Sequence, residues 1–370
     1  MADEKKSSVE TLLSFLKNPV NIAEEIDDNK LNEIGRKAVE GFEADKSSMD
    51  DWTKVIEEGL KLIKPEVGPK SDPWPNAANF KSPLIIDAGL KFGDRASSVL
   101  LRGPDFAKPV VVGNDQDGEK FKKAERVVKY MNWQLNVEMT DWVKEHNKLI
   151  YDIPYIGCVF KKTFFSRETQ SNVSELITYP SFAVNHEATS LKKARRFTQI
   201  MEFSDNEVIE RQRGGLWLDI DLSDSETQGA EDQAEDDHIN TYLEQETYID
   251  LDDDGYEEPY TITVHEASQK VLRIVPRFEA EGILIKDEKN QRSGSLLDLL
   301  RASIPAPTPL LDEQGQEQPP KELSFIELMQ QGATIPATGG EREIIKIDET
   351  DVITKYGFLP NPDGGFLDIG

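Results

Sequence analysis

The chain has 370 residues, 37% hydrophobic and 31% charged, long enough for roughly two or three packed units. Its formal net charge of −27 repels nucleic acid unless basic side chains gather on one face. That disfavours sequence-specific DNA binding but suits a surface past which DNA slides without being gripped. No apolar run approaches the roughly 18 to 20 residues of a membrane span, the N-terminus lacks the pattern of a secretory signal, and a single cysteine, Cys158, excludes an internal disulfide framework and a cysteine-based zinc site.

In chain order, residues 1–150 are expected to be helical. A short amphipathic segment, Val9–Leu16, precedes Leu31–Ile63, where Ile34, Val39, Phe42, Trp52, Val55, Ile56, Leu60 and Ile63 recur at helical spacing. Ser47, Ser48 and Asp50 interrupt that run and imply two helices with a cap between them. Prolines from Pro65 to Pro75 then break the pattern, because each removes an amide donor. It resumes over Asn76–Leu101 and closes at Pro104 and Pro109. The strongest helical pattern is Gly118–Tyr151, with Phe121, Val127, Val128, Met131, Leu135, Met139, Trp142, Val143, Leu149 and Ile150 on one face; one long helix packed on its predecessors is expected.

Near Pro154 the period changes to two. Ile156–Phe165, Ser174–Val184, Arg196–Phe203, Thr241–Leu251, Pro259–Glu266, Lys270–Pro276 and Gly282–Lys286 are rich in β-branched and aromatic residues. They predict an antiparallel sheet or small barrel over residues 151–290, and so an α+β fold. Cys158, in the apolar run IGCVF, reads as a buried, inert thiol. Ser204 and Asp205 open a capped helix that ends at Gly214, while Ser223–Asp237 is acidic and free of large apolar residues, as in a loop. Residues 291–341 form a Pro- and Gln-rich irregular excursion with short helical candidates at Ser295–Ala302 and Leu323–Gln330. Residues 342–370 are a return segment, with strand-like alternation at Glu343–Ile347 and a turn at Asn361–Gly365.

Few constellations suggest chemistry. Asp250, Asp252, Asp254 and Gly255 match the opening of a calcium loop, D-x-D-x-D-G, but Thr261 stands where an EF-hand needs its bidentate glutamate. An acidic β-hairpin turn on Asp254–Gly255 is the plainer reading; a metal-dependent hydrolase or nuclease built on the three aspartates is the rival. His146, His186, His238 and His265 are too scattered to ligate one metal and are expected at the surface or at caps. No nucleophile elbow, phosphate loop or Cys/His pair is present, so neither a catalytic residue nor a cofactor is expected. Lys192, Lys193, Arg195 and Arg196 are the one gathering of positive charge, suited to a phosphate backbone or, more simply, to acidic partners in this chain or a neighbouring subunit.

Several blocks, NIAEEIDDNKLNEIGRKAVEGFEADKSSMDDW, DPWPNAANFKSPLIIDAG, IYDIPYIGCVFKKTFF, YPSFAVNHEATSLKKARRFTQIMEF, YIDLDDDGYEEPYTITV and the final KYGFLPNPDGGFLDIG, resemble in their order the portal proteins of short-tailed, double-stranded DNA phages. The segment Trp74–Phe80 is the most specific of them. The resemblance implies the N-terminal, wing-forming part of a virion subunit: helices on a β-rich domain, in a dodecameric ring at one capsid vertex. Through such a ring the terminase large subunit drives double-stranded DNA, tail adaptor proteins attach to it, and the major capsid and scaffolding proteins surround it. It implies assembly in the host cytoplasm and no membrane partner. Stem, clip and crown would lie outside the residues matched here, with a second polypeptide as one way to supply them; a monomeric virion adaptor is a further alternative. The same resemblance marks Trp74, Pro75, Asn76, Ala77, Asn79 and Phe80 as anchors of the helical layer, and Tyr155, Gly157, Phe160 and Tyr179 as anchors of the β domain.

Overall fold

The computed structural model describes residues 8–17, 20–63, 72, 74–75, 82–115, 117–166, 169–222, 239–287, 292–304, 323–334, 342–360 and 366–368. The helices are α1 Ser8–Lys17, α2 Asp28–Ser48, α3 Asp50–Ile63, α4 Leu84–Leu100, α5 Glu119–Trp133, α6 Trp142–Ile156, α7 Asp205–Arg213, α8 Leu296–Ala302 and α9 Phe325–Gln330. The strands are β1 Cys158–Ser166, β2 Ser171–Ile177, β3 Phe182–Val184, β4 Phe197–Ser204, β5 Ile239–Ile249, β6 Glu258–His265, β7 Val271–Pro276, β8 Phe278–Asp287, β9 Arg292–Ser295, β10 Arg342–Glu349, β11 Ile353–Pro360 and β12 Phe366–Asp368. This is an α+β chain whose N-terminal helices precede antiparallel strands. Of the two alternatives offered by the alternating pattern, the sheet is the one formed; no barrel closes among the described residues.

The chain divides into two compact units that interleave in sequence: Met1–Ala44 with Lys193–Asp351, and Asp45–Lys192 with Val352–Gly370. In the first, β4, β5, β6 and β7 lie side by side and antiparallel, and Tyr242, Leu243, Tyr260, Ile262, Leu272 and Ile274 are fully buried. A second sheet, β10-β8-β9, contributes Ile283 and Ile285 to the core beneath Leu296, Leu297 and Leu300 of α8. Edge strand β7 is capped by one side chain. Buried Asn21 donates from Nδ2 to the Leu272 carbonyl (3.0 Å) and accepts at Oδ1 from the amides of Ile274 and Ala23 (both 3.1 Å). The amide so reproduces a missing ladder partner while it starts the 3₁₀ turn Ile22–Glu25. The capped helix expected from Ser204 and Asp205 forms as α7, and it opens with a capping box in which the Ser204 amide donates to Glu207 at 2.9 Å.

In the second unit the sheet runs β12-β11-β1-β2, with Cys158 opposite Gly357 and Phe160 opposite Ile177. Leu149, Ile150 and Ile153 of α6 pack on Val159, flanked by Leu176 and Tyr356. Helix α6 also lies against α4 through two glycines one turn apart. A Cβ on Gly89 would stand 2.3 Å from the Tyr155 hydroxyl, and one on Gly93 would stand 2.4 Å from the Tyr151 ring.

The single helix expected over Gly118–Tyr151 is divided. After α5 the backbone widens into a π-type turn at Gln134–Glu138, leaves helical geometry at Met139 (φ −91°, ψ 70°) and restarts as α6. The wider turn shifts the apolar stripe, so α6 buries Leu149, Ile150 and Ile153 whereas α5 buries none of its residues. α5 and the turn after it hold the loop that precedes them: Asn132 of α5 exchanges hydrogen bonds with the Ala107 backbone at 2.9 and 3.1 Å, and Asn136 of the turn donates to the Pro104 carbonyl at 2.8 Å.

Candidate functional site

Among the described residues, no contact joins all the positions singled out in the sequence. Trp74 is 63% exposed and Pro75 is exposed, so this indole is not held in the chain's own core; Asn76, Ala77, Asn79 and Phe80 lie outside the described residues. The other anchors sit at packing joints of the second unit. Tyr155 lies over Gly89 and donates to the Ile86 carbonyl at 3.3 Å. Gly157 ends α6 with φ +85°, a left-handed conformation that disfavours a side chain. Phe160 stacks on Phe182 with centroids 3.9 Å apart, and Tyr179 meets Trp52 edge-on at 5.7 Å.

The basic cluster is engaged locally. Arg195 pairs with Glu257 at 3.4 Å. Arg196 lies so close to α2 that a Cβ on Gly41 would meet its Nε at 2.6 Å. Lys192 and Lys193 are exposed.

Two of the histidines depart from the surface or capping role expected of them, and one keeps it. His186 is exposed and His238 lies outside the described residues, but His265 is buried, with Nδ1 2.8 Å from the Ser268 hydroxyl. His146 stacks on Trp142 at 4.9 Å and meets Tyr356 edge-on. Burial, then the nearby Lys161 ammonium, push its pKa down to about 4. Lys161 is itself buried, sits 4.9 Å from the Trp142 ring centre, and is brought down to about 8 by burial against the opposing pull of Glu145. Cys158 is partly buried, which raises its thiol pKa and keeps it inert at neutral pH.

The acidic turn between β5 and β6 is the most organised polar feature. Asp250, Asp252 and Asp254 each bring a carboxylate oxygen within 4.8 Å of the others. Asp250 accepts from the amides of Asp254 (3.2 Å) and Gly255 (2.9 Å), and Asp254 from that of Tyr256 (2.7 Å). Two left-handed residues, Asp253 (φ 59°) and Gly255 (φ 93°), make the turn tight. Lys30 grips it from α2, donating to the Leu251 carbonyl at 2.9 Å and to Asp253 at 2.8 Å. One residue escaped notice in the sequence. Glu258, the first residue of β6, is 0% exposed, and only its even spacing from the aspartates could have drawn attention to it.

The second unit exposes several large apolar side chains. On α5 and the following turn Phe121, Val127, Tyr130, Met131, Trp133 and Val137 are exposed, with Tyr130 and Trp133 stacked at 5.7 Å; on α4, Leu84, Leu90, Val99 and Leu100 are exposed. No helix among the described residues is long and apolar enough to cross a membrane. Neither the family models nor the curated proteins compared with the chain match it.

Proposed function

We propose that the chain is the wing-forming part of a phage portal subunit, a structural component of the ring through which genomic DNA enters and leaves the capsid. The observation that supports this best is α5, an amphipathic helix of 15 residues that buries none of them and presents Phe121, Val127, Tyr130, Met131 and Trp133 to solvent. Large apolar side chains left exposed together on one helix are kept where another protein covers them. A closed ring of identical subunits repeats one such contact around its axis. The ordered sequence blocks supply the kind of ring, and the overall acidity fits a wall that DNA slides along without sticking.

On this reading the subunit performs no covalent step and needs no cofactor. Its work is to hold geometry in the virion while the terminase large subunit hydrolyses ATP and tail adaptor proteins dock. Native mass spectrometry tests it, on the chain alone and with the polypeptide encoded immediately downstream. A large closed oligomer, dodecameric by the resemblance, is expected; a monomer under both conditions at micromolar concentration would overturn it.

A further inference from the structure

We propose that α5 docks on α3 of a neighbouring copy of this chain, a contact between two different surfaces that repeats from subunit to subunit. It rests on the ring reading above and names the two faces that meet in that ring.

Charge singles out α5. Its sequence, EKFKKAERVVKYMNW, carries Lys120, Lys122, Lys123, Arg126 and Lys129 against Glu119 and Glu125, five cations to two acids, in a chain of net charge −27. This is a second gathering of positive charge besides Lys192, Lys193, Arg195 and Arg196, one that helical spacing spreads out in sequence. Lys120 donates to the Asn114 carbonyl at 3.2 Å. Lys122, Lys123, Arg126 and Lys129 are exposed and have no ion pair among the described residues. At about 3.6 residues per turn, Lys122, Arg126, Lys129 and Trp133 fall on one row roughly 16 Å long, with Lys123, Val127 and Tyr130 on the row beside it. Cations and large apolar side chains therefore share one side of the helix. That mixture selects the occupant. A phosphate backbone would engage the cations and leave Val127 and Met131 in water, and a membrane surface takes up helices whose charged and apolar sides are separated.

The same unit exposes a matching face. On α3, Asp51, Val55, Glu58 and Leu62 form a row with the same spacing, and Val55 and Leu62 are 68% and 61% exposed. Asp51 and Glu58 are exposed as well, and the helix carries Asp50, Asp51, Glu57 and Glu58 against Lys54 and Lys61. Laid side by side in the same direction, the two faces set Asp51 against Lys122, Val55 against Val127, Glu58 against Lys129 and Leu62 against Trp133. Run the opposite way, they would set Asp51 on the Trp133 indole and Leu62 on the Lys122 ammonium. Burial of the apolar side chains supplies the attraction, while the charge pairs fix register and reject a like-charged partner. Each copy leaves both faces uncovered and so offers one α3 and one α5 to its neighbours. A head-to-tail contact of this kind closes a ring when its rotation divides a full turn.

Charge exchange in the full chain tests the contact, read by sedimentation and native mass spectrometry, alone and with the polypeptide encoded immediately downstream. Lys122→Glu with Lys129→Glu, and separately Asp51→Lys with Glu58→Lys, should each weaken association at least about tenfold. The melting temperature should not change, because all four side chains are exposed. Placing all four substitutions in one chain, or mixing the two doubly substituted chains, should restore the oligomer, since every acid again meets a cation. Rings that persist in either reversed variant would overturn this contact and leave the ring reading standing. Assembly that is lost and does not recover on exchange would overturn the pairing of α3 with α5. A parent chain that stays monomeric under both conditions would remove the ring reading and this contact with it. A DNA duplex or anionic vesicles bound by the parent and released by Lys122→Glu with Lys129→Glu, with the oligomer intact, would give α5 to a phosphate surface and overturn the proposal.

Discussion

The guanidinium of Arg277 lies 3.0 Å from the carboxylate of Glu246, with both side chains at least 95% buried. Its other amino nitrogen reaches Glu349 at 2.8 Å, and Tyr248 donates to that same carboxylate at 2.7 Å. One arginine thus neutralises acids from β5 and β10, strands of two different sheets. Removing it would leave Glu246 charged in a medium that cannot solvate it. Arg277→Met should therefore lower the unfolding free energy by about 3 to 5 kcal/mol, read from urea denaturation. Replacing Glu246 with leucine as well should recover part of the loss. An unchanged midpoint for the single variant would show that the pair contributes little.

Gly89 and Gly93 allow α4 and α6 to approach closely, because the rings of Tyr155 and Tyr151 occupy the space where a Cβ would stand. Tyr151 is further held by its 2.6 Å bond to Asp94. A rigid ring cannot yield as a flexible chain end would, so Gly93→Ala should destabilise the second unit by about 1 to 3 kcal/mol despite alanine's better helix propensity. Pairing it with Tyr151→Ser, which makes room, should shrink the cost of the glycine change. If Gly93→Ala melts at or above the parent, the helices are not in contact there.

Buried Asn21 closes the edge of β7 from 251 residues away in sequence, through its bond to the Leu272 carbonyl. Asn21→Ala strips a carbonyl and two amides of their partner at once, which predicts a loss of about 2 to 4 kcal/mol and faster amide exchange at Ile274. Full protection of that amide in the variant would argue against the cap.

Local pattern and long-range pairing were legible to different degrees. The alternation from Cys158 onward, the Ser204 capping box and the break between α2 and α3 each rest on neighbouring residues, and the sequence carries them plainly. The pairing of β1 with β11 joins residues such as Lys162 and Ile353, and nothing local to either strand announces a partner so distant. The division of α5 from α6 was hidden for another reason. Apolar residues recur every three or four positions from Val127 to Trp142, a spacing loose enough to absorb the one extra residue by which a π-type turn rotates the stripe that follows. In the acidic turn three aspartates and a glycine were plain, but Glu258 was one glutamate among 70 acidic residues; burial alone sets it apart, and burial is a tertiary property.

His146 and Lys161 both make stability rise with pH, in different windows. The folded state keeps His146 neutral with its pKa lowered from 6.5 to about 4, whereas the unfolded chain takes up a proton near the ordinary value. This contribution is therefore full above 6.5 and is lost as pH falls towards 4. Lys161, lowered from 10.5 to about 8, carries its desolvation cost at neutral pH and sheds it as pH rises through that window. Lys161→Met keeps the volume and removes the buried ammonium, at the cost of its contact with Trp142. A net gain of about 1 to 2 kcal/mol at pH 7 is expected, with a shallower acid slope because His146 is released from a neighbouring positive charge. Melting curves from pH 4 to pH 9 would read both effects, and a less stable variant at pH 7 would mean that the ammonium is well solvated or paired.

The exposed aromatic pair on α5 separates folding from assembly. Tyr130 and Trp133 stack on each other at 5.7 Å, and both remain about half exposed, so neither supports the core of its own chain. Trp133→Glu should leave the melting temperature of the isolated chain nearly unchanged, within about 0.5 kcal/mol, because surface changes away from buried networks act weakly. In an oligomer the same substitution would place a charge in a desolvated apolar contact, where it costs several kcal/mol and breaks the interface. Trp74, 63% exposed, should behave alike on truncation to alanine. Sedimentation of each variant beside its thermal melt distinguishes the cases. Normal folding with lost assembly is the expected pattern, and variants that assemble as well as the parent would remove these two side chains from any subunit contact.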